Sequence, residues 1–527
     1  MLLRLGLLLA YAIRFNPLAA QTDVLTYHND VERTGRYLTE TTLTPTNVNS
    51  TTFGKLFQVT LDGKVDAQPL YVSAVAIPNQ GTHNVLIVAT ENDSLYALDA
   101  DTGAQLWKLS LLKSGETASD DRGCGQVVPQ IGITSTPVIG LNHGTKEAAI
   151  FAVAMSKDAS GNYYQRLHKV GLATGKNFVP AVNIAAQFPG TGEDSKNGYA
   201  YFDPKQYKER SGLLLLDGVV YLAWASHCDI APYTGWIMGY SSATLANTSV
   251  IDVTPNGAEG AIWGAGGGLA ADSSGFIYFL DANGTFDTTL NAQGFPSKGD
   301  YGNAFIKLSA AGGGLTVADY FTMDNTSSES NKDTDFGSGA ALVLPNQTDA
   351  NGKVQQLAIG AGKDGNIYLV NRKNMGKFNS SNDSAIYQQL TGALPGGIWS
   401  MPAYFGSWVY FGAVGGPIRA FQFSNALLSA TPTSVTGTTF PFPGATPSIS
   451  ANGSNNGILW AVENNSTAVL HAYSATNLAQ ELYNTSQAAG GRDDFGAGNK
   501  FMVPTIANGK VYVGTPTGVA AFGLLGQ

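Results

Sequence analysis

Between residues 85 and 107 the chain alternates apolar and polar positions with period two. VLIVAT, SLYALDA and AQLWKL are separated by Glu91-Asn92-Asp93 and Asp101-Thr102-Gly103. Side chains of a strand alternate between two faces, so the pattern predicts strand, turn, strand, turn, strand, and the interruptions leave no window for a helix. Both turns hold residues that tolerate the backbone angles a tight reversal needs. The same rhythm returns in GFIYFLDANGTF (275–286), GNIYLVNRKNMGKF (365–378), GILWAVENNSTAVLHAYSATN (457–477) and GKVYVGTPTGVAAFGLL (509–525). Strand-like segments rich in small residues lead such units. Eight are present: DAQPLYV (66–72), GITSTPVI (132–139), SGLLLL (211–216), GGGLAA (266–271), GSGAALVL (337–344), SMPAYF (400–405), ATPSIS (445–450) and MVPTIA (502–507).

Repeated antiparallel units that cannot bury both faces alone must stack, and radial stacking gives a propeller. The expectation is an all-β chain forming a single eight-bladed β-propeller of four-stranded blades. The last unit lacks an outer strand, which GKLFQVTLDG (54–63) near the start would supply, closing the ring and removing an edge. With no linker in view, residues 21–527 read as one domain. A pair of β-sandwiches is the alternative.

Composition narrows the partners. A net charge of −9 without a basic stripe argues against nucleic acid. Residues 1–20 read as a signal peptide: Arg4, the apolar stretch 5–13, then Ala19-Ala20 before Gln21. No later apolar run is long enough for a transmembrane segment. The expected location is periplasmic or extracellular, and the expected state is a monomer. Asn-x-Ser/Thr triplets are frequent, as chance predicts for so Asn- and Thr-rich a chain.

The stretch Ala97-Leu-Asp-Ala-Asp-Thr-Gly-Ala-Gln-Leu-Trp107 resembles the tryptophan-docking repeat of pyrroloquinoline-quinone (PQQ) propellers, in which the Trp packs on a neighbouring blade's turn. LATGKNF (172–178) and YSATNLAQELY (473–483) keep parts of it. The segment YHNDVERTG…LTPTNVNSTTFGKLF resembles the opening of quinoprotein alcohol dehydrogenases, with Tyr27 or its neighbours where that family has Trp. The resemblance implies an axial site with PQQ, a calcium ion, a carboxylate base and a cation that steadies the quinone oxygens.

Carried onto this chain, it implies Asp333 as the catalytic base, with Asp335 as the second acid of the Asp-x-Asp segment. Lys363, in GAGKDGNIYLVNR, is the quinone-contacting cation. Trp399 and Trp263 are cofactor-binding, and Asn283 with Asp229 are metal ligands. Each has a plainer reading: Asn283-Gly284 is a hairpin turn, Asp333 and Asp335 cap a loop, Lys363 is solvated, and Trp399 is inter-blade packing.

The chain also departs from the family. Its adjacent cysteine pair is reduced to Cys124-Gly125. The segment 225–236 lacks the calcium-ligating Glu, leaving Asp229 as the nearest carboxylate. Gly266 stands where the floor Trp belongs, with Trp263 three residues earlier. No haem-attachment motif is present. The resemblance further places Cys124 and Cys228 on one face, so they are expected to bond, joining the regions of the first and third blades. Two functions fit: a quinoprotein-like dehydrogenase acting on a small alcohol or sugar, and a non-catalytic propeller scaffold that binds a protein or ligand.

Overall fold

The computed structural model describes residues 23–141 and 148–526. The signal peptide expected at 1–20 lies outside the described residues. The structure is all-β. Apart from short 3₁₀ turns, its helical content among the described residues is the six-residue Thr326–Asn331.

Eight of the sheets among the described residues have four or more strands and follow one another in chain order. The first comprises Leu70–Ile77, Gly81–Thr90, Ser94–Asp99 and Gln105–Ser110, joined antiparallel in sequence. Its turns fall at Asp93 and Gly103, both with positive φ. The eighth comprises Thr505–Ala507, Lys510–Thr515 and Gly518–Leu524, with Phe53–Thr60 from the start of the chain as its fourth strand. Each of the eight leading segments overlaps a strand of one of these sheets, Val138–Gly140 in the second. The strands begin later than the pattern suggests: Leu70 rather than Asp66, Leu214 rather than Ser211, Leu342 rather than Gly337. The preceding residues are loop, because they turn inward instead of pairing.

Apolar faces are buried between consecutive sheets. One cluster joins the second and third through Phe151, Leu167, Leu222 and Trp236. Others join the third to the fourth, the fourth to the fifth, the fifth to the sixth and the sixth to the seventh. The largest joins the seventh, eighth, first and second. Trp107 makes the docking contact its repeat predicts. Its indole Nε1 donates to Leu172 O at 2.9 Å in the second sheet. A Cβ on Gly175 would lie 2.7 Å from the indole, so only a glycine admits the ring there. Phe57 covers Gly103 in the same way, linking the eighth sheet to the first.

Residues 24–40 form no regular strand of length, yet they touch the first strands in order. Val24 exchanges hydrogen bonds with Tyr71, and the amides of Ile139, Ala271, Val343, Tyr404 and Ile449 donate to carbonyls of Leu25, Val31, Glu32, Thr34 and Gly35. Arg33, fully buried, donates to Leu213 O and Leu269 O. Glu40 accepts from Gly509 N. This segment therefore touches each of the eight sheets in turn, at or beside its early strands.

The expected disulfide is present: Cys124 and Cys228 are bonded with Cα atoms 5.5 Å apart. Its placement corrects the expectation. Cys124 lies between Glu116–Asp120 and Gln130–Ile131, and the former pairs with the second sheet, not the first. The bond thus ties the entry of the second sheet to the third.

Candidate active site

In an antiparallel sheet the entry to the first strand and the connection between the second and third lie at one end. Residues remote in sequence therefore converge there, and they line a cleft of about 750 Å³, mouth included. Entry segments contribute Gln126, Arg210, Trp263, Asp333, Trp399 and Phe501. Strand connections contribute Cys228, Asp229, Asn283 and Lys363.

One wall is acidic and held by a lysine. The Lys363 ammonium bonds to Asp333 and lies 2.9 Å from Asp335. Asn283 Nδ2 donates to Asp333 Oδ1 at 2.6 Å. Asp333 is 65 % exposed, whereas Asp335 is buried at 2 % and Lys363 is 17 % exposed. Burial opposes the charge on Lys363, but the carboxylates of Asp335 and Asp333 outweigh it and raise its pKa. Burial pushes Asp335 above the usual carboxylate range although Lys363 pulls it down. Asp229 accepts from Tyr233 OH at 2.9 Å and Ser226 Oγ at 3.1 Å.

The remaining walls are aromatic and basic. Trp399 packs edge-on to Phe442 with centroids 5.6 Å apart. Lys208, buried, lies 4.9 Å from the Trp263 ring and donates to Gln126 Oε1 at 3.0 Å. Burial, then the neighbouring Arg210 charge, lowers its pKa to about 7. The backbone is left-handed at Cys228, Asp229, Ala265, Asp333 and Phe501. None is glycine, and such conformations cost of order 1–3 kcal/mol each, concentrating at binding sites.

The chemistry suits a planar anionic group: aromatic rings and a disulfide for its faces, Lys363 and Arg210 for its oxygens. For a hard cation the structure offers Asn283 Oδ1, which is buried and without a hydrogen-bond partner, beside the Asp333 carboxylate. Among the described residues no three His, Cys, Asp or Glu side chains form a ready cage. A cation would take its remaining ligands from a bound group or water.

Every residue assigned from the resemblance lines this cleft: Asp333, Lys363, Trp399, Trp263, Asn283, Asp229 and the disulfide through Cys228. One plainer reading fails: Lys363 is largely buried and doubly paired rather than solvated, whereas Trp399 both packs on Phe442 and lines the cleft. Sequence reasoning missed Arg210, Phe442 and Phe501. A signal for Arg210 existed: Lys208-Glu209-Arg210 puts three charges directly before a leading segment, where residues turn inward.

No protein-family model matches the chain, and no curated protein does. Solved structures do. A quinohaemoprotein alcohol dehydrogenase from Comamonas testosteroni aligns with TM-score 0.62 at 13 % identity, over 96 % of this chain and 81 % of that one. A second, from Pseudomonas putida HK5, aligns with TM-score 0.61 at 12 % identity over the same shares. A europium-containing methanol dehydrogenase aligns with TM-score 0.60 at 11 % identity, over 96 % of this chain and 98 % of that one. At such identities the likeness is one of fold: the chain has the all-β, propeller-like architecture of these dehydrogenases.

Proposed function

We propose that the protein is a quinoprotein-like dehydrogenase that binds PQQ in the cleft and oxidises a small alcohol or sugar. The observation that carries this reading is the convergence of Asp333, Lys363, Asn283, Asp229, Trp263 and Trp399 on one cleft from separate sheets. The eight sheets are read as blades of one ring, with Phe53–Thr60 as the closing strand and residues 21–527 as a single domain. Successive apolar clusters and the paired Phe53–Thr60 and Gly518–Leu524 support that reading.

In this site the exposed Asp333 carboxylate accepts the substrate hydroxyl proton. Asn283 and Lys363 fix its orientation. Lys363, kept protonated by its two acids, stabilises negative charge on an oxygen brought beside it. Trp399, Trp263 and the disulfide exclude water from the faces of the ligand. A bound quinone supplies the two-electron acceptor for the alcohol carbon. A hard cation, calcium by the sequence resemblance, would be held by Asn283 Oδ1 with Asp229, leaving Asp333 free as the base. Export through residues 1–20 and a monomeric state complete the proposal. Among the described residues no helix is long and apolar enough to cross a membrane.

The test is to add PQQ with and without calcium, then measure thermal stability and dye reduction with alcohols and sugars. Stabilisation is expected, because a ligand that binds the folded state raises its stability. Neither stabilisation nor turnover would leave the scaffold reading in its place.

A further inference from the structure

Four arginines are buried among the described residues, and three of them, Arg33, Arg166 and Arg372, have side-chain partners, Arg372 pairing with Asp272. Arg33 donates to Thr26, Tyr27, Leu213 and Leu269, and Arg166 holds Glu116 through both terminal nitrogens. Arg210 differs. It is 3 % exposed, its guanidinium lies over the Phe501 ring at 3.9 Å, and it lines the cleft. No described residue accepts a hydrogen bond from its side chain, and no carboxylate lies within ion-pairing distance. Asp66, Glu91 and Glu209 act on it only through space. Its nitrogens reach the cleft without a protein acceptor, and the planar fork matches a carboxylate through two parallel bonds.

We propose that Arg210 is the anchor for a carboxylate of the ligand that occupies the cleft. Phe501 holds the plane of the fork. Lys208, its pKa lowered by burial to about 7, and Lys500 stand near Arg210, Lys208 lying 4.9 Å from the Trp263 ring and Lys500 5.8 Å from the Phe442 ring. Asp229, Asp333 and Asp335 repel a carboxylate from the other wall. The ligand is thus oriented with its acid at Arg210 and its reacting end at Lys363 and Asp333. The inference rests on the cleft being the ligand site. The carboxylate has two possible sources, the quinone cofactor or an organic acid substrate, and the experiment separates them.

Binding of PQQ, its trimethyl ester and benzene-1,3-dicarboxylate is measured by calorimetry and by quenching of tryptophan fluorescence. The full chain is used as wild type, Arg210→Gln and Arg210→Lys. Free PQQ is expected to bind roughly 10- to 100-fold more weakly to Arg210→Gln, as loss of a charged hydrogen bond predicts, with Arg210→Lys recovering part of it. The ester is expected to bind wild type weakly and to be indifferent to the substitution. Equal binding of acid and ester by wild type overturns the proposal, and needs no variant to fold. So does undiminished PQQ affinity in a folded Arg210→Gln, which would leave the quinone reading intact. Arg210-dependent binding of the dicarboxylate with no binding of PQQ supports the anchor while removing the quinone. No binding of either acid to wild type ends the anchor outright.

Discussion

At the scale of single residues, the cleft works through differences in exposure. Asp333 and Asp335 share Lys363, yet one faces solvent and the other is buried. The exposed one can exchange protons with a substrate; the buried one fixes the lysine. Asp333→Asn should therefore lower dye-linked turnover by about 10²- to 10⁴-fold while PQQ affinity changes little. Lys363→Met should weaken PQQ binding itself. Parallel loss of affinity in both variants would mean that Asp333 positions the ligand and does not act as base. These residues were legible because the strands beside them, such as Ile367–Asn371, keep the repeat closely. Phe442 and Phe501 were not, because they sit in entry loops that keep no part of the repeat, and Arg210 was marked only by the charges of Lys208-Glu209-Arg210. Their orientation is set by neighbouring sheets and not by their own sequence.

At the scale of elements, the short alternating runs specified strands well, and the turns at Asp93 and Gly103 fixed their register. What the pattern misjudged was where each first strand starts. Small residues suit both a tight first strand and an inward-turning loop, so composition alone does not separate them. The seventh sheet carries a pH-dependent clasp across three strands. His471 bonds to Glu463 at 3.1 Å and Glu481 at 2.7 Å. Burial alone would lower the His471 pKa, but the two glutamates more than reverse it. Its stabilisation is then complete below the unfolded histidine value and is lost as pH rises through the raised folded one. For Glu481, burial alone would raise the pKa, but His471 more than reverses it. Its share is present above the unfolded glutamate value and lost as pH falls through the lowered folded one. His471→Gln should accordingly lower the melting temperature more at pH 6 than at pH 9. An equal loss at both would show that packing, not charge, holds the clasp.

At the scale of the whole molecule, long-range connections dominate. The disulfide closes a separation of 104 residues and is expected to contribute about 2–4 kcal/mol. Replacing both Cys124 and Cys228 with Ser should lower the denaturant midpoint. An unchanged midpoint would show that the two entry loops hold each other without it. The path of residues 24–40 was invisible in the sequence, because backbone groups and the Arg33 and Glu40 side chains tie it to strand edges and leave no apolar rhythm.

These long-range pairings have a kinetic consequence. Gly35 is bound by Ile449 and Phe53–Thr60 by Gly518–Leu524, partners that lie far later in the chain. Assembly dominated by such distant pairings is slow, and an edge left waiting is open to capture by another chain. Phe53–Thr60 stays an unpaired edge until Gly518–Leu524 is in place, so the eighth sheet is completed only when two distant stretches of chain meet.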